Sequence, residues 1–275
     1  MQVRRVAGPS EATQARELRL EQVRASARQT LTSCKATEPN EIDVEQIAAA
    51  IGAEIVFDDL EGATARVIQI GDHAKIVVST RIAEIGSIRF SIAHEVGHIV
   101  CQHYARRRAA ERAIERICTP LSIDGTSLER EASVYATELV MPTAMVMPWC
   151  NVELKELDPV RSIASTFQTS LLASALRFVE LTSERCAVVY SELGRIRWVK
   201  KSSSLTSWIP KRAVDPASAA FDYFEEGVVG QTTKVVPAAT WLPRVANGLD
   251  TPIYEHATPI PGAGTVFSVL WMPTV

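Results

Sequence analysis

The 275-residue sequence has no apolar run of about 18 residues, so no segment reads as a helix crossing a bilayer. It also lacks any C-x-x-C pair. Its five cysteines, Cys34, Cys101, Cys118, Cys150 and Cys186, are odd in number and widely spaced. That pattern argues against a disulfide framework and for reduced thiols in a cytoplasmic protein. Arg4 and Arg5 near the N-terminus have no apolar stretch behind them, which reads against a secretory signal. Strong charge of one sign is missing too. Lysine and arginine number 29 against 32 acidic residues, so nothing global calls for a nucleic-acid or membrane partner. There is no internal repeat and no low-complexity tract. What remains is globular: 47% hydrophobic and 22% charged residues can build a sizeable core in one large domain or two small ones.

Residues 11–33 read as an amphipathic helix burying Leu18, Val23 and Leu31. Asp43 is placed to cap a short helix "VEQIAAAI", with Gln46 in the capping-box position and Gly52 as the stop. Three β-like runs follow, "AEIVF", "TARVIQI" and "AKIVVST". Gly71-Asp72 joins the last two as a hairpin, which predicts a short antiparallel sheet. From Ser87 the apolar residues Ile88, Ile92, Val96, Ile99 and Val100 fall at helical spacing. "YARRRAAERAIERI" reads as a solvated face of alternating charge, "CTPLSIDGTS" as a loop and "LEREASVYATELVM" as a further helix.

The character of the chain changes near residue 150. Two short helices are expected next, one opening at Asp158-Pro159 and one capped by Thr169 or Ser170. Strands "CAVVYS" and "RIRWVKK" flank the turn "ELG". Asp215, Pro216 and Gly227 punctuate a helix, and "TKVVPAATW", "IYEHAT" and "TVFSVLWM" close the chain as strands. The helical pair "IASTFQTSLLASALRFVEL" has the outline of a helix-turn-helix, but Arg177 is the one cation on its second helix, and phosphate contacts need several. His73 and His256 read as surface or turn residues, and the cysteines as small packed hydrophobes. Cys101, close to the chemistry described next, is the one to check for reactivity.

The stretch "SIRFSIAHEVGHIVCQH" carries that chemistry. Residues four apart lie on one face of a helix, so His94 and His98 can aim nitrogens at one ion. Glu95 lies about 100° around the helix, too far to share the ion but placed to act on a water beside it. This is the H-E-x-x-H arrangement of two ligands and a general base. A third ligand must come from elsewhere: His103, Asp124, Glu129, Glu131 and Glu138 lie downstream. His103 stands about 140° off the ligand face, and a carboxylate on a second helix suits better. Glu131 and Glu138 share a face of that helix while Glu129 faces away, and spacing alone does not choose between the two.

"RFSIAHEVGHIV" followed by "EREASVYATELVMP" resembles the ImmA/IrrE metallopeptidases, with the pattern R-F-x-x-A-H-E-x-G-H, then E-A-N-x-F-A-x-E-L-L-M-P. The similarity is strongest over residues 43–142. Ser133 stands where the family usually has Asn, and Tyr135 where it has Phe; the latter reads as a core aromatic with a wet hydroxyl. The resemblance implies one zinc ion per chain held by His94, His98 and Glu131, with Glu95 as base. It implies an α+β fold: a zincin-like metallopeptidase domain of helices and a small antiparallel sheet over residues 1–150, then the helical pair and a smaller α+β domain over residues 151–275. It implies a regulatory, intracellular endopeptidase whose partner is a protein substrate, often a helix-turn-helix repressor. A zinc-binding sensor, a DNA-binding regulator or a toxin–antitoxin component is the alternative.

Overall fold

The computed structural model describes residues 11–70, 73–103, 127–152, 156–227, 233–243, 252–260 and 264–272. The expected Gly71-Asp72 turn, the arginine-rich stretch, Cys118 and Asp124 lie outside them. The chain divides into two units, Met1–Pro142 and Thr143–Val275.

The first unit opens with α1 (Glu11–Ser33), whose buried face is Leu20, Val23, Ala27 and Leu31, at steps of three and four. Leu18, expected on that face, points to solvent at 63% exposure. The register starts one turn boundary later than its apolarity suggested. Asp43 caps α2 (Val44–Ala50) by accepting the Glu45 and Gln46 amides, as expected. The Gln46 side chain returns to the Asp43 carboxylate. Gly52 then ends the turn with φ +79°, a conformation costly for any residue with a Cβ.

Strands β1 (Ala53–Asp58), β2 (Ala65–Ile70) and β3 (His73–Ser79) form a sheet in the order β1-β3-β2. The β2–β3 pair is antiparallel, but β1 runs parallel to β3, so the sheet is mixed where an antiparallel one was expected. The reason is the route of the chain. After β1 it passes buried Leu60 and the positive-φ Gly62, skips the central position, and leaves that position to β3. β2 therefore forms one margin of the sheet.

Helix α3 (Ile85–Val100) packs against that sheet, and Arg89 Nη2 ties it to the Ile42 carbonyl ahead of α2 at 2.8 Å. Helix α4 (Ser127–Val140) lies between α1 and α3. Its contact with α3 is centred on Gly97. A Cβ there would lie 3.1 Å from the Ala132 carbonyl and 3.1 Å from Tyr135 Cβ. Glycine is what lets the two backbones approach this closely.

The second unit starts with α5 (Thr143–Cys150), α6 (Asp158–Phe167) and α7 (Leu171–Leu181). Ser170 caps α7 by accepting the Ala173 amide. Arg177 is 2% exposed and donates to Thr143 Oγ1 at 2.8 Å and to Glu180 at 3.3 Å. Strands β4 (Arg185–Glu192), β5 (Arg195–Lys201), β6 (Lys234–Val236), β7 (Ile253–Ile260) and β8 (Thr265–Met272) make an antiparallel sheet in the order β5-β4-β8-β7-β6. Helix α8 (Ala219–Glu226) begins at Ser218, not at Asp215-Pro216; Asp215 instead accepts the Ala217 amide in a turn. "TKVVPAATW" divides at Pro237 into β6 and the short α9 (Ala238–Trp241), because proline cannot continue the ladder.

Glu255 on β7 lies at the centre of this unit and is fully buried. It takes the Ala219 and Ala220 amides at 3.0 Å each, Trp241 Nε1 at 3.0 Å and Ser268 Oγ at 2.9 Å. The first two are the opening amides of α8, so the carboxylate caps that helix from a neighbouring strand. Its neighbour His256, expected at the surface, is buried and receives Arg161 Nη2 at 3.2 Å. Burial, seconded by that guanidinium, pulls its pKa below the ordinary value. Cys150 and Cys186 are buried, and burial pushes their thiols up to about 11 and about 12. His73 is exposed, as expected.

Candidate metal centre

His94 and His98 project from α3 toward one point. Their Nε2 atoms are 3.1 Å apart, and Glu129 Oε2 lies 3.3 Å from the first and 3.2 Å from the second. Among the described residues this is the set whose ligand atoms could share a metal ion. The spacing fits: ligand bonds of about 2.0–2.1 Å in a tetrahedron place the donor atoms about 3.3 Å from one another. The donor chemistry fits as well, two imidazoles and a carboxylate being a common zinc set that leaves a position for substrate or water. Both rings are held from behind. Ser133 Oγ lies 3.4 Å from His94 Nδ1, and His103 Nδ1 lies 2.9 Å from His98 Nδ1. With each Nδ1 engaged, each Nε2 is the nitrogen left to face the common point.

The carboxylate brought beside the two imidazoles is Glu129, not the expected Glu131. Glu131 is turned away from the imidazole pair: its Oε2 takes Arg19 Nε at 3.0 Å, Arg19 Nη2 at 2.7 Å and His103 Nε2 at 3.2 Å. Glu129, expected to face away, is the carboxylate beside the histidines. The cause is that α4 has two working faces. Glu129 and Ser133, one turn apart, overlook α3. Glu131, Tyr135 and Glu138 share the other face and meet α1 through Arg19, Thr30 and Arg28. Glu131 and Glu138 do share a stripe, as their spacing indicated, but it is the stripe turned to the first helix. Tyr135 donates to Thr30 Oγ1 at 2.7 Å and is fully buried, so its hydroxyl is not wet; burial holds its pKa well above that of an ordinary phenol. Ser133, which replaces the family's usual Asn, still supplies an oxygen to His94. Cys101 is half-buried at the end of α3.

Glu95 is 2% exposed. Burial raises its pKa above the ordinary 4.5; His94 and His98 oppose that rise, Glu129 adds to it, and the Val67 amide of β2 opposes it by donating to the carboxylate. The margin strand of the sheet thus touches the acid that flanks the histidine pair. A buried carboxyl with a raised pKa beside such a cluster is a recurring feature of sites that move protons.

Comparison with known proteins agrees with the motif. No curated protein matches the chain. Among solved structures, a Mycobacterium tuberculosis transcriptional regulator matches with a TM-score of 0.56 over 94% of this chain and 93% of that one. At 12% identity that likeness concerns the fold alone. Residues 48–178 match the model of the IrrE N-terminal-like domain, Peptidase_M78, a span running from α2 through α7 and including every residue of the centre described above except Arg19 and its neighbours on α1. Over residues 48–178 the chain is thus similar to the IrrE N-terminal-like domain of Peptidase_M78.

Proposed function

We propose that this chain is an intracellular, zinc-dependent regulatory endopeptidase whose substrate is a protein, in keeping with the family it resembles a repressor of helix-turn-helix type. The observation that carries this is the convergence of His94 Nε2, His98 Nε2 and Glu129 Oε2 at tetrahedral spacing, with Glu95 adjacent. In this reading those three residues hold one zinc ion. Zinc supplies Lewis acidity, lowering the pKa of water toward about 7 and polarising a carbonyl. Glu95 takes the proton of the attacking water and returns it to the leaving amine. Its burial keeps bulk water from competing for that proton and sets its basicity above that of a surface glutamate. β2, at the margin of the sheet beside Glu95, is the strand on which an extended substrate would add, since β3 is central and hydrogen-bonded on both sides.

The alternative, a zinc-binding regulator that reads DNA, draws on the likeness in fold to a transcriptional regulator. The helical pair gives it little support: Arg177 is buried against Thr143 and Glu180, not presented to a phosphate. Among the described residues no helix is long and apolar enough to cross a membrane.

Metal analysis combined with digestion of a denatured peptide library tests the proposal. Wild type carries about one zinc per chain, and His94→Ala, His98→Ala and Glu129→Ala lose it. Glu95→Gln keeps the ion and loses about a hundredfold or more in cleavage rate. A Glu95→Gln chain that cuts at the wild-type rate sinks the general-base assignment, and a wild type that takes up no zinc sinks the whole reading.

A further inference from the structure

Behind His98 lies a line of contacts leading to α1 that the reaction itself does not use: His98 Nδ1 to His103 Nδ1 at 2.9 Å, His103 Nε2 to Glu131 Oε2 at 3.2 Å, and Glu131 Oε2 to Arg19 Nε and Nη2 at 3.0 and 2.7 Å. His98, His103 and Glu131 are all buried, whereas Arg19 reaches solvent. The direction of each proton follows from the exposed end. Arg19 is a cation that only donates, so Glu131 beside it is an acceptor. His103 must then present Nε2–H to Glu131, which leaves its Nδ1 as a lone pair. That lone pair requires Nδ1–H on His98, and so a bare Nε2 aimed at the point shared with His94 and Glu129.

We infer that Arg19, Glu131 and His103 form a brace that fixes the tautomer and tilt of His98, so that the first helix sets how tightly the centre holds its metal. All three are positioning residues. The inference rests on the metal reading proposed above. It gives a role to Glu131 other than ligation, and to His103, which helical geometry alone had set aside. Partners of ligating imidazoles elsewhere typically change metal affinity about 10- to 100-fold when removed. An arginine on α1, outside the span that matches the family model, thereby acts on a ligand more than seventy residues along the chain.

The test uses the full chain and zinc(II) or cobalt(II) alone. Arg19→Ala, its fold checked by circular dichroism, weakens zinc about tenfold, and His103→Asn weakens it more, within the range of about 10- to 100-fold. Arg19→Lys, which keeps the charge but loses the guanidinium's second donor, recovers part of the loss. The visible absorption of the cobalt form changes in His103→Asn, a signature that a purely structural defect elsewhere does not produce. In nitrogen-15 spectra of the zinc-loaded wild type, His103 appears as the neutral Nε2–H tautomer and His98 carries its proton on Nδ1. Zinc affinities within twofold of wild type in both Arg19→Ala and His103→Asn, or a His103 protonated on Nδ1, overturn the brace and leave the metal reading standing. A wild type that binds neither ion overturns both.

Discussion

Two buried groups of polar atoms, one in each unit, are built on opposite terms. In the second unit Glu255 is surrounded by donors: two amides, an indole N–H and a hydroxyl, all within 3.0 Å. In the first unit His94 Nε2, His98 Nε2 and Glu129 Oε2, atoms that can each offer a lone pair, lie within 3.1–3.3 Å of one another. The donor-ringed carboxylate is complete as it stands. It closes a helix end and stitches α8, α9 and β8 to β7, and it asks for no ligand. Converging lone pairs repel, and a cation between them turns that repulsion into attraction. Burial and acidity alone would have marked both groups as candidate sites; the count of donors against acceptors separates the structural one from the chemical one.

The largest effect that separates them is that of the metal itself. Zinc at about a thousand times its dissociation constant adds about 4 kcal/mol to the stability of the state that binds it. Hydrogen exchange should therefore slow at α3 and α4 amides on adding zinc and recover with chelator, while β7 and β8 amides stay unmoved. Equal slowing in both units would erase the contrast. A smaller effect comes from Glu255→Gln. The amide nitrogen has no lone pair to offer; Ser268 can turn its hydroxyl to accept, but an α8 amide is stranded, at a cost of about 2 kcal/mol. The unfolding free energy from urea titration of the variant should fall by about that amount, with zinc binding untouched. The smallest effect is in pH. Glu95 and Glu255 are both pushed up by burial, but only Glu95 serves the reaction. As the base it must be ionised, so cleavage rises with pH along an acid limb. The kcat/KM profile on a library peptide cut by wild type should show that limb, unchanged by Glu255→Gln.

What the sequence revealed was what local rules govern. Asp43 and Ser170 act as caps, Gly52 and Gly227 as stops, and the H-E-x-x-H spacing places two imidazoles on one face, because each depends on residues within a turn or two. The third carboxylate depended instead on how α4 crosses α3. That crossing brings Gly97 against Ala132, and it puts Glu129 rather than Glu131 beside the imidazoles without altering the periodicity of either helix. The place of β1 beside β3 was hidden for the same reason: strand order is a property of the whole sheet. Asp215-Pro216 carried a good helix-opening signature, yet the helix waits for Ser218, since Glu255 captures the amides one turn on. His256 seemed peripheral because an isolated histidine usually is; its burial follows from a strand flanked on both sides.

The two imidazoles are each anchored through the nitrogen that does not face the ion, one by Ser133 and the other by His103. Their rings keep their aim whether or not anything lies between them. Loading then requires little reordering of side chains, and the entropy that a floppy chelator would forfeit on capture has already been surrendered during folding. On the metal reading proposed above, such a centre would be emptied and refilled with the surrounding helices left in place.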